Sequence, residues 1–90
     1  MRIAIAYATP FSEIAHTERE MVTLQGTILA DLVGLLAERH GPKFKDVLVD
    51  SDTGDVLHGM VILVNGRRSD LMTRLENGDE VAFLMAMAGG

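Results

Sequence analysis

The chain has 90 residues, 48% of them hydrophobic and 23% charged, with a net charge of −5; this suits one small folded domain and excludes a disordered segment. Cysteine is absent, which excludes disulfides, thiolate metal centres, iron–sulfur clusters and a cysteine nucleophile, and fits a cytoplasmic setting. Only Arg67 and Arg68 form a basic pair, and the apolar run from Val81 to Ala88 is well short of the roughly 20 residues of a membrane span, so neither nucleic acid nor a membrane is expected as a partner.

From Arg2 to Ala8, Ile3, Ile5 and Tyr7 alternate with Ala4, Ala6 and Ala8, the pattern of a central strand buried on one face and tightly covered on the other. The apolar stretch before Ala6-Tyr7-Ala8 is too short for a signal peptide. Pro10 closes the strand, and "FSEIAHTERE" reads as a loop with one helical turn. Val22 and Leu24 around Thr23 mark a second strand, able to pair antiparallel with the first.

The clearest helix spans about 28–40. Thr27 is its expected N-cap, Asp31 lies near its positive end, Arg39 and His40 complement its negative end, and Gly41 and Pro42 stop it. Ile28, Leu32, Leu35 and Leu36 recur at i, i+4, i+7 and i+8, which lays one face across a sheet, with Gly34 allowing close approach. After the helix, "FKDVLVD" and "DVLHGMVILV" read as strands around the polar turn "DSDTGD", and Asn65-Gly66 signals a two-residue turn. Leu71 and Leu75, four apart, indicate a helical turn before Asn77-Gly78 and a last strand from Glu80 to about Met85. With that last strand returning beside the first, the order is that of an α+β, ubiquitin-like β-grasp: a mixed sheet of four to five strands crossed by one main helix. The domain is expected to occupy 1–84, and 85–90 to form a flexible tail ending in Gly-Gly.

Most constellations have a structural reading. "DSDTGD" starts with the spacing of a calcium loop, but Gly54 stands at the fifth place, Asp55 where the glycine belongs and Val61 at the twelfth, so it is a solvated turn. His16, His40 and His58 lack ligand spacing, and no metal site is expected. Ser12, Ser51 and Ser69 sit in turns outside any G-x-S-x-G elbow, and Glu13, Glu18, Glu20, Asp79 and Glu80 read as solubilising surface. Met85 and Met87, two apart, are either core on one strand face or an adaptable contact surface.

Gly89 and Gly90 have no structural task. A terminal carboxylate, with a pKa of about 3.3–3.7, is ionised at neutral pH and is a poor electrophile until activated, for example as a mixed anhydride with AMP. Glycine would let the backbone pass a narrow channel. Extended from Leu84, the arm would reach roughly 20–25 Å, at about 3.3–3.6 Å per residue.

The strand, hairpin, long helix, "VNG", the run Gly78-Asp79-Glu80-Val81-Ala82-Phe83 and the final Gly-Gly together resemble the small subunit of molybdopterin synthase and the ubiquitin-like sulfur carriers related to it. The resemblance covers essentially the whole chain. It implies that Gly90 is adenylated by an enzyme related to the ubiquitin-activating family and becomes a thiocarboxylate, with Gly89 needed to thread the tail. ATP would be used by that activating partner; no cofactor is expected on this chain. The sulfur would then serve molybdopterin synthesis in a large synthase subunit, with this chain as reactant and not as catalytic pocket. Phe83, Leu84, Met85 and Met87 would contact partners, with Arg67 and Arg68 at the rim. Where such carriers often have prolines, this chain has Met85 to Ala88, so the tail either gains flexibility or extends the strand. Alternatives are a thiamine-pathway carrier, a protein modifier joined to lysines through Gly90, and a non-reactive β-grasp binding module.

Overall fold

The alternation of Ile3, Ile5 and Tyr7 does produce a central strand. In a computed structural model, which describes residues 1–86, β1 (Arg2–Tyr7) lies between an antiparallel β2 (Arg19–Thr23) and a parallel β5 (Glu80–Met85). β5 pairs on its other side with β3 (Met60–Val64), and β3 with the edge strand β4 (Arg67–Ser69), giving the order β2-β1-β5-β3-β4. Three helices complete the chain: α1 (Phe11–Ala15), α2 (Leu29–His40) and α3 (Lys43–Leu48). This is the expected α+β ubiquitin-like β-grasp, with the last strand beside the first.

The helices seat Phe11, Leu29, Leu32, Val33, Leu36, Phe44 and Leu48 in one core cluster with Ile3, Ile5, Tyr7, Ile62, Val64, Val81 and Phe83 from the strands. Aromatic rings fill its centre: Phe44 lies 5.3 Å from Phe83 and 5.4 Å from Phe11, and Tyr7 stacks on Phe83 at 6.0 Å. The helix α2 therefore turns a slightly different face inward than expected, Leu29-Leu32-Val33-Leu36, while Ile28 and Leu35 are half-buried. Gly34 faces open space and serves no close approach. The cap also differs: Ile28, not Thr27, precedes the first helical residue, and the Asp31 carboxylate accepts the N–H groups of Ile28 (3.1 Å) and Thr27 (2.9 Å). Those two donors hold its carboxyl below the usual range. A Cβ on Gly26 would stand 2.3 Å from the Asp31 side chain, so glycine makes room for this carboxylate.

Two expected elements change type. The stretch "FKDVLVD" is mostly helix α3, because Phe44 and Leu48 bury together at i, i+4 and Pro42, which has no N–H to lose, stands just before the first turn. Only Val49 remains extended, bridged to Val56. The next strand begins at Met60 and not at Asp55, since Gly59 takes φ +92°. Asn65 and Gly66, at φ +51° and +81°, make the expected tight turn, and the strand after it, β4, was not anticipated. Leu71 and Leu75 do not form a helical turn. Their segment is held open, with Leu71 and Thr73 carbonyls accepting the N–H groups of Ala30 and Leu29 at the start of α2.

Candidate functional site

Because side chains alternate across a strand, the face of the sheet opposite the helices carries the small residues of β1. Ala6 sits beside Ala82, Ala82 beside Leu63, and the row ends on Arg19 at one side and Arg68 at the other. Leu84 pairs with Val61 on the same face, and Met21, 52% exposed, lies opposite Ala4. Val61 is shielded yet stands outside the core cluster. Among the described residues no helix covers this face, so the expectation that β1 is covered on both sides is corrected: its alanines form a shallow, open, apolar floor.

The positions expected to meet a partner separate accordingly. Leu84 lies on the open face, half-buried, and Arg68 stands at its rim. Phe83 is not on the open face but in the core: it is 0% exposed, locked among Tyr7, Phe11 and Phe44, because alternation sends it to the opposite side from Leu84. Arg67 likewise points to the opposite face, into a groove it shares with Arg74. Met85 is 45% exposed beside Met60, so a core role is not met at this position. β5 takes in Met85, the first residue of the segment assigned to the tail, and strand pairing continues to the second, with Ala86 N–H donating to the Gly59 carbonyl at 2.7 Å. Met87, Gly89 and Gly90 lie outside the described residues.

The residues missed by sequence reading are Ala4, Ala6, Ala82, Met21 and Leu63 on the open face, and Glu20 on the other. The signal for the first group was present in the large-small alternation of β1, but alternation alone does not say whether the small face is covered. Glu20 is a hub and not mere surface: its carboxylate accepts from Tyr7 Oη (2.5 Å), Arg39 (3.0 Å) and His40 Nε2 (2.6 Å), tying β1 and β2 to the end of α2. Burial raises the Tyr7 phenol well above its ordinary range, and the adjoining carboxylate adds to this. For Glu20, burial works upward, but the hydrogen bonds from Tyr7, His40 and Arg39 outweigh it and hold the carboxyl below its usual value. Its contribution to stability is therefore complete above the unfolded pKa of about 4.3 and drains away as pH falls through the lower folded value. Replacing Glu20 with Ala is expected to cost about 1–3 kcal/mol at neutral pH, by leaving the buried Tyr7 hydroxyl unpaired, and to flatten the acid limb of stability against pH. Urea titrations of both proteins across the acid range check this; an unchanged acid limb would contradict it.

No enclosed catalytic pocket is present among the described residues; the grooves are open, one of about 510 Å³ being lined in part by Val56, Leu57, Met60, Arg68, Leu71 and Ala86. Among the described residues no three His, Asp or Glu groups converge as metal ligands, and no helix is long and apolar enough to cross a membrane. The geometry is that of a scaffold with one flat apolar face beside the strand that leads to Gly-Gly.

A model of the ThiS family matches residues 5–90. No curated protein matches the chain. Among solved structures, SAMP1 of Haloferax volcanii, a small archaeal modifier protein, superposes with a TM-score of 0.83 at 22% identity, over 100% of both chains. A Pyrococcus furiosus protein described as molybdopterin converting factor, subunit 1, gives 0.74 at 26% identity, over 97% of this chain and 99% of the other. Urm1 of Trypanosoma brucei gives 0.77 at 26% identity, over 99% and 95%.

Proposed function

The chain belongs to the ThiS family, of ubiquitin-like sulfur carriers, and we propose from this that it carries sulfur as a thiocarboxylate on Gly90. The observation that supports the reading is the position of the open face: the apolar floor around Ala6, Ala82 and Leu84 flanks β5, the strand that leads directly to Gly89 and Gly90. A partner seated on that floor receives the tail without rearranging the core.

The chemistry follows from the carboxylate. Attack of a Gly90 oxygen on the α-phosphorus of ATP releases pyrophosphate and leaves an acyl-adenylate. A persulfide of the partner then attacks the acyl carbon and displaces AMP, giving an acyl disulfide; a second thiol of the partner attacks the donor's sulfur in that disulfide, so that Gly90 leaves as a thiocarboxylate and the two partner thiols remain joined as a disulfide. The activating partner is an adenylating enzyme of the ubiquitin-activating type; this chain supplies the acyl group and the docking face. The acceptor is the large subunit of molybdopterin synthase, a reading supported by the likeness to the Pyrococcus protein. Pyrophosphate exchange with such an activating enzyme tests the first step. The full chain is expected to sustain exchange and a chain lacking Gly90 to lose it; equal exchange by both would overturn the reading.

The superposition with SAMP1 over the full length of both chains favours a second reading, a modifier joined to lysines through the same adenylate. Arg74 is the last trypsin site, so digested targets would carry residues 75–90 on the modified lysine. Recovery of such branched peptides from cells supports conjugation, and their absence beside detectable thiocarboxylate supports sulfur transfer.

A further inference from the structure

Three cationic side chains are paired among the described residues: Arg19 with Glu80, and Arg39 and His40 with Glu20. Arg2, Lys43, Lys45, Arg67, Arg68 and Arg74 have no carboxylate partner among those residues, and of these Arg67, Arg68 and Arg74 gather around the edge strand β4. In a chain with 13 acidic and 8 basic residues, this gathering stands out against an acidic background.

The backbone at this edge is also open. Asn65 N–H donates to the Glu80 carbonyl at 2.8 Å, which by alternation turns Val64 and Ile62 toward β4. Their partners Arg67 and Ser69 are thereby used, while the N–H and C=O of Arg68 point away from the sheet. The guanidinium groups part in the same way. Arg68 lies on the open face beside Leu63, and Arg67 enters the groove on the opposite side with Arg74, Ser69 and Thr73. The acidic groups of that groove are Glu76 and Asp79, and Asp79 is already tied by Asn65 Nδ2 (2.9 Å) and Glu76 N–H (2.8 Å). Asp70, next to β4, is turned back onto Met72 N–H at 2.8 Å.

We propose that the β4 edge receives an acidic, extended segment of a partner protein as an added strand. Main-chain bonds to Arg68 supply the alignment, and carboxylates at successive positions fall on opposite faces, one to Arg68 and the next to Arg67 and Arg74. Charge complementarity selects an acidic segment and repels a basic one. The site lies at the end of the apolar row and not on it, so a segment here and a partner on the alanine floor can be held together. The proposal does not rest on the chemistry of Gly90.

Amide NMR of the full chain tests it, with the capped peptide Val-Glu-Glu-Val-Glu-Glu as probe and its lysine counterpart as control. Saturable shifts confined to 67–70 and Arg74 are expected, weakened by salt, with hydrogen exchange of the Arg68 amide slowed about tenfold or more at saturation. Arg67→Glu with Arg68→Glu is expected to raise the Kd at least about tenfold. Should that variant fail to fold, the wild-type shifts and exchange decide alone. Absence of saturable binding, shifts centred on Ala6 and Ala82, or unslowed exchange at Arg68 would each overturn the proposal, the last because it means charge attraction without strand addition. Equal occupancy of the patch by a single-stranded oligonucleotide would overturn the choice of partner.

Discussion

Phe83→Ala is expected to lower folding stability by about 3–5 kcal/mol, the cost of emptying an aromatic site in a packed core. The ring touches Tyr7, Phe11 and Phe44 and is 0% exposed, so the cavity opens where β1, β5, α1 and α3 meet. Small domains hold only about 5–15 kcal/mol in total, so the variant should be partly unfolded at mild urea concentrations. Urea unfolding followed by circular dichroism measures it. A loss below about 1 kcal/mol, combined with impaired partner binding, would restore Phe83 to a docking role and contradict its assignment to the core.

Ala82→Arg is expected to act in the opposite sense, leaving the fold intact and removing partner use. Ala82 sits mid-row on the open face between Ala6 and Leu63, and a long charged side chain there rises into solvent but stands where a flat partner surface must lie. Interference at the centre of such a contact costs about 2–4 kcal/mol, so the apparent KM for this protein in pyrophosphate exchange should rise about thirtyfold or more. Glu38→Arg, on the exposed side of α2, is the matched control and should change neither exchange nor stability. An unchanged KM for Ala82→Arg would show that the alanine floor is not the docking face.

The parts of the fold that the sequence made legible are those with long or unambiguous patterns. β1 alternates over its whole length, α2 carries complete stop signals, and Asn65-Gly66 has one economical geometry, a tight turn with both residues at positive φ. Shorter runs misled for a physical reason: in "FKDVLVD", Phe44 and Leu48 serve a strand or a helix equally until tertiary packing chooses, and here both are drawn under the sheet. β4 escaped notice because Arg67, Arg68 and Ser69 have no hydrophobic pattern; pairing with β3 alone makes them a strand. At the candidate site, adjacency to the Gly-Gly end was visible but sidedness was not. Phe83 and Leu84 are neighbours in sequence and lie on opposite faces, as are Arg67 and Arg68, and that distinction needs the register of β5 against β1 and β3. Glu20 could not be picked from thirteen acidic residues, since its three donors come from distant parts of the chain.

The most direct test of sulfur carriage is the mass of Gly90 after incubation with an activating enzyme, ATP and a sulfur donor. With six methionines in the chain, a sulfoxide adds nearly the same nominal mass as exchange of oxygen for sulfur, so the shift must be placed by tandem fragmentation at Gly90 and confirmed by alkylation of the thiocarboxylate. Sulfur at Gly90, dependent on ATP and lost when Gly90 is deleted, is the predicted result. An adenylate that forms on Gly90 and yields only amide-linked products, with no thiocarboxylate under any donor, would contradict it.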